Sequence, residues 1–164
     1  MNIDRTVTKD EYIKQLLNLQ QELIKYDKIE NKEAIRKTYA SKNYDENDLD
    51  GEIWKNFPRN PEYLVSNLGR IKFEGKIQHQ TEEIESETGR IKWGYLVLED
   101  QKLIKDYIYD FVAYTFLNKV KGDGYQVHHI TNDGDDNSVN NLILLTAAEH
   151  SIVHSRIEKI DELL

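Results

Sequence analysis

The chain has 164 residues, 32% charged and 38% hydrophobic, which is enough for one good core and a small appendage. The absence of cysteine excludes disulfides and thiol chemistry and fits a reducing cytoplasm, and no apolar run or N-terminal signal pattern points to a membrane. The net charge of −8 argues against a strongly basic nucleic-acid binder.

In chain order, Thr8-x-x-Glu11 has the form of a capping box. Tyr12, Leu16, Leu19, Leu23 and Ile24 follow at helical spacing, so residues 9–28 read as an amphipathic helix. A second helix is expected near Lys32 to Ala40, making a helical hairpin within a 1–50 extension. That extension is acidic and has no arginine-rich helix, so it reads as a packing or protein-contact element rather than a DNA reader. Lys42 to Gly51 is a polar, acidic linker.

Residues 51–124 read as a β-rich module with one helix. Tyr63-Leu64-Val65 is a strand, Ser66 to Gly69 a turn in which Asn67 and Gly69 tolerate positive φ, and Arg70 to Phe73 the returning strand. Alternation puts Arg70 and Lys72 on one face, as candidate phosphate contacts. Trp54 reads as core. Residues 77–90 are polar and acidic and read as a loop or hairpin tip, with His79 incidental. Ile91 to Leu98 is a strand to which Gln101 to Tyr107 pairs, and Tyr107 to Leu117 an apolar helix that buries against the sheet.

The last segment, 125–164, holds the histidines. Four of the chain's five fall between His128 and His154. Val127 and Ile130 give the adjacent pair His128-His129 a short strand. Asn132 to Asn140 is nearly all turn formers, Leu142 to Leu145 a second strand, and Thr146-x-x-Glu149 a capping box that starts a helix. On that helix His150 and His154 stand at i and i+4, stacked on one face.

Two imidazoles one turn apart are a common seat for a divalent transition metal. A third ligand can come from the strand. Adjacent strand residues point to opposite faces, so one of His128 and His129 can reach the metal while the other is free to act as a base. Three ligands leave an open position, the mark of a catalytic rather than a structural site. A closed structural zinc site usually has four ligands and often cysteine, and here there is none.

The order H-H…N-L…H-x3-H resembles the HNH, or ββα-metal, nuclease motif, in the form found in bacterial DNase toxins. The resemblance implies that His129 is the general base, that His128, His150 and His154 bind one divalent ion (Mg²⁺, Mn²⁺, Ni²⁺ or Zn²⁺), and that Asn141 pins the loop that orients His129. Upstream, Trp54, Tyr63, Val65 to Arg70 and Ile71 resemble the nuclease-associated modular domain of phage and intron-borne homing endonucleases. The pieces G-Y-L-V-L and F-V-A-x-x-F-L resemble the same family. Together the likeness spans about 52–155. It implies an α+β fold, DNA as partner, and a place in the cytoplasm of a bacterial host cell.

Two departures weaken the expected DNA grip. Asp110 stands where the family carries a basic residue, and Glu82, Glu83, Glu85 and Glu87 stand where it carries basic tracts. Residues 128–164 hold 2 basic and 7 acidic groups. These features support a second reading: an acidic, DNA-mimicking inhibitor on an HNH scaffold, directed at a host defence nuclease and bound through its acidic surface or N-terminal helices.

Overall fold

The computed structural model describes residues 2–27, 43–84, 87, 91–155 and 158–163. The fold is α+β, with three small antiparallel sheets and four helices among the described residues.

Helix α1 spans Lys9–Asp27. Its start is the expected one: the Thr8 hydroxyl accepts the Glu11 N–H at 3.4 Å. The helix expected near Lys32 to Ala40 lies outside the described residues. Strands β1 (Trp54–Asn56), β2 (Tyr63–Ser66), β3 (Ile71–Phe73) and β4 (Lys76–Ile77) form one sheet in chain order. Strands β5 (Thr81–Ile84), β6 (Ile91–Glu99) and β7 (Lys102–Tyr107) form the second. Helix α2, Ile108–Phe116, follows β7 directly. Strands β8 (Gln126–His129) and β9 (Leu142–Leu145) form the third sheet, and helices α3 (Ala147–Val153) and α4 (Glu158–Leu163) close the chain.

Strand β5 corrects the loop reading of 77–90. Its glutamates carry weak strand propensity, but β6 is nine residues long and offers a partner row from Ile91 to Gly94. Backbone pairing with that row outweighs local preference.

Helix α2 is the hub of one core. Ile108, Phe111 and Val112 pack with Phe57, Tyr63, Val65, Ile71, Tyr95, Val97 and Leu142, all buried. Gly94 fits this packing because a Cβ there would lie 2.4 Å from the Asp106 carbonyl oxygen. The second core joins the two ends of the chain. Ile3, Leu16 and Leu19 from the N-terminal segment pack with Ile130, Ile143, Leu145, Ile152, Val153 and Ile160. The β8–β9 hairpin sits between the cores. Leu142 faces α2, while Ile143 and Leu145 face α1 and α3. Helix α1 is therefore half of the wall behind the histidine segment rather than a separate appendage.

Candidate active site

The register of the hairpin sorts the two adjacent histidines. His128 lies opposite Ile143, and His129 opposite Leu142. Strand alternation then sends His128 towards α3 and His129 towards α2. The Thr146 capping box is complete: the hydroxyl accepts the Glu149 N–H at 3.2 Å, and the Glu149 carboxylate accepts the Thr146 N–H at 2.8 Å. It fixes the first turn of α3, so His150 and the C-cap residue His154 share one side. His128 meets both. Ring centroids lie 5.2 Å apart for His128 and His150, 5.0 Å for His128 and His154, and 4.8 Å for His150 and His154.

One nitrogen from each of these rings can be chosen so that all three lie within 4.8 Å of one another. The His128 Nε2 is buried and has no hydrogen-bond partner. An orphaned buried acceptor normally carries a desolvation cost, and a cation among the three rings removes it. Burial, then the neighbouring His154, His150 and His129, push His128 down to about 3. Burial and His154 lower His150 as well. Both rings are thus held neutral, the state a metal ligand requires. The donor set fits a divalent transition ion.

His129 stands on the other face, half-buried, its ring edge-on to Tyr109 at 5.2 Å. Burial lowers it below the ordinary histidine range, while the Asn137 bond and Asp136, Asp133 and Asp135 pull the other way. Its Nε2 lies 2.8 Å from the Asn137 Oδ1. An amide oxygen only accepts, so Nε2 carries the proton and the lone pair falls on Nδ1. Asn141 is buried and binds the loop across its neck. Its Oδ1 accepts the Thr131 N–H at 3.1 Å, and its Nδ2 donates to the Asp136 carbonyl at 2.9 Å. The Ile130 N–H donates to the Asn141 carbonyl at 2.8 Å. The loop between Asn132 (φ 60°) and Ser138 is closed by these bonds.

Three residues beyond the motif touch this constellation. Asn137 holds the His129 ring, Gln126 Oε1 lies 2.7 Å from the His150 Nδ1, and Glu149 anchors the N-terminal segment. The Arg5 guanidinium pairs with the Glu149 carboxylate and donates to the Leu144 carbonyl at 2.9 Å. The Tyr12 hydroxyl donates to Glu149 Oε2 at 2.7 Å. No spacing in the sequence announced Asn137 or Gln126; only the hairpin closing on the helix brings them to the rings.

Arg70 is not where alternation put it. It precedes β3, is 1% exposed, and pairs with the buried Glu52. Its remaining N–H groups donate to the carbonyls of Asn43, Asp45 and Asn47. The guanidinium is spent inside the protein and cannot reach a phosphate. Lys72 is half-buried, 3.1 Å from Asp48 and 4.2 Å above the Trp54 ring. Trp54 is a surface platform under this lysine rather than core, with its indole N–H bonded to Asp48 at 2.9 Å. Of the turn residues only Gly69 takes a positive φ, at 91°. Asn67 serves the turn differently: its side chain bonds the Ile53 N–H and the Gly51 carbonyl, and its own carbonyl accepts the Val139 N–H at 2.8 Å. That last bond ties the β2–β3 turn to the histidine loop. His79 stacks on Tyr44 at 4.2 Å.

A strand–loop–strand–helix unit with one strand histidine on each face and two helix histidines below defines a ββα nuclease motif. Residues 113–152 match the family model of the HNH endonucleases. His154 lies just beyond the match. No curated protein matches the chain. A solved structure of DNA binding and cleavage by the HNH homing endonuclease I-HmuI is similar, at 21% identity and a TM-score of 0.46, over 68% of this chain. The chain spans 65% of the length of that one.

Proposed function

We propose that the protein is a metal-dependent DNA endonuclease of the homing type, from a phage or mobile element and active in the host cytoplasm. The observation that carries this reading is the trio of His128, His150 and His154 beneath a His129 held separately on the opposite strand face. The trio would hold one divalent ion, and three imidazoles favour a transition metal over Mg²⁺. When bound, such an ion supplies charge for the crowded phosphate oxygens and the departing 3′ oxygen. His129, oriented by Asn137, takes a proton from the water that attacks phosphorus. Asn141 keeps the loop closed so that His129 cannot swing away. Tyr109 restrains the ring edge-on. We divide the chain into a 1–50 extension, a 51–124 module that meets DNA, and the 125–164 nuclease motif. With Arg70 buried, Lys72 and the exposed Lys55 are that module's candidate phosphate contacts.

The test is nicking of supercoiled plasmid by EDTA-stripped protein with Mg²⁺, Mn²⁺, Ni²⁺ or Zn²⁺ restored, beside His129→Ala. Metal-dependent cutting that the variant loses supports the proposal. Failure of folded, metal-loaded protein to cut any DNA form sinks it.

A second reading has one observation in its favour. Arg5, Arg59, Arg70, Lys72 and Lys119 each pair with a carboxylate. Each such cation is held by a carboxylate rather than left free for phosphate, and the chain carries a net charge of −8, suited to an inhibitor that occupies another protein's basic groove. A stable complex with a basic nuclease that DNA competes away would favour that role.

A further inference from the structure

We propose that Gln126 is a positioning residue for His150, and that its side-chain amide selects which ring nitrogen of His150 faces the cluster. The inference rests on the metal reading above.

Gln126 sits two residues before His128 on the same face of β8, opposite Leu145. Its Oε1 lies 2.7 Å from the His150 Nδ1, across a gap of 24 residues in sequence. Oε1 has no proton to give, so Nδ1 donates and the lone pair falls on Nε2. The His128 Nε2 is likewise the atom left open. One strand thus delivers both a ligand and the group that orients a second ligand, on alternate residues.

The bond is not a by-product of burial. Gln126 is exposed, and a glutamine there would otherwise be left to water. Glu149 and the capping box fix the backbone of His150, but they leave its ring free to turn. Among the described contacts, Gln126 is the hydrogen-bond partner of that ring. A neutral imidazole in water prefers its proton on Nε2, the wrong tautomer for coordination through that atom. Without Gln126, metal binding would have to move the proton and immobilise the ring. Groups that orient a metal-bound histidine in this way typically contribute 10–100-fold to affinity.

The experiment compares wild type, Gln126→Leu and Gln126→Glu as full chains, with Ni²⁺ as the probe. Long-range ¹H–¹⁵N spectra of the EDTA-treated proteins, at a pH where the imidazoles are neutral, read the His150 tautomer directly. Calorimetry reads Ni²⁺ affinity. The expected result is the Nδ1–H tautomer in wild type and Gln126→Glu, and its loss in Gln126→Leu with Ni²⁺ binding about 10–100-fold weaker. A wild-type His150 protonated on Nε2 overturns the inference. So does equal Ni²⁺ affinity in wild type and Gln126→Leu, which would leave the metal reading standing. Failure of wild type to bind Ni²⁺ would sink both. Gln126 is exposed, so matching thermal melts are expected to show that the leucine variant folds.

Discussion

Two buried nitrogen-bearing side chains, Arg70 and His128, are treated in opposite ways. Around Arg70 each guanidinium nitrogen has an acceptor: the Glu52 carboxylate and the carbonyls of Asn43, Asp45 and Asn47. The His128 ring packs against two other imidazoles, and its Nε2 has no partner. The first arrangement is a closed structural knot. It ties the acidic segment from Asn43 to the β2–β3 hairpin. The second is an unmet demand, and what sets it apart from the unpartnered atoms of Gln80, Thr81 and Thr131 is the pair of further imidazoles grouped with it. Charge and burial alone would have ranked the arginine as the functional group and the histidine as core.

Substitutions on the two sides should separate them. The largest expected effect is on cutting. His129→Ala should lower the nicking rate by roughly 10²–10⁴-fold, the usual contribution of a general base. It should leave Ni²⁺ affinity within a few fold, because His129 lies on the other strand face. Parallel loss of metal binding would show that the two faces are not independent. Next, Arg70→Ala should cost about 3–5 kcal/mol in chemical denaturation, since it strands the buried Glu52. Wild-type stability in that variant would undo the structural account of Arg70.

The pH response distinguishes the same two sites. His128 has its folded value near 3, below the ordinary 6.5 of an unfolded chain. The unfolded chain then binds more protons, so the EDTA-treated protein loses stability as pH falls from 6.5 towards 3. For Glu52, burial acts to raise its carboxyl, but the bonds from Arg70, the Leu49 N–H and Ser66 outweigh it and the net shift is downward from 4.5. That site stabilises above about 4.5 and fails only as pH falls through the depressed value. Thermal melts should therefore begin to drop below pH 6.5 in wild type, with a shallower drop in His128→Asn and an unchanged one in Lys72→Ala. A flat profile from pH 7 to 5 would contradict the buried neutral histidine. The smallest effect belongs to Lys72→Ala itself, whose bond to the exposed Asp48 is screened by water and should leave the melting temperature close to that of wild type. A larger change in DNA affinity than in stability would support a phosphate-contacting role.

The histidine segment was the most legible part of the sequence. Turn formers from Asn132 to Asn140, the apolar run to Leu145 and the Thr146 capping box are local signals, and each produced the element it announced. Helix α1 was equally plain. The failures share a cause. Strand β5 exists because of β6, and Arg70 is buried because a segment some twenty residues earlier folds over it. Applying alternation from Arg70 assumed that the strand began there; the pairing begins at Ile71. Gln126 and Asn137 reach the rings only through tertiary closure, which no local pattern encodes.

The bond between Arg5 and Glu149 joins residues 144 positions apart. During synthesis α1 leaves the ribosome long before the helix it braces, and its buried leucines wait for partners that emerge near the other end of the chain. The histidine trio cannot be complete before His154 has been made. The same closure of distant ends makes folding slow relative to a local helical bundle.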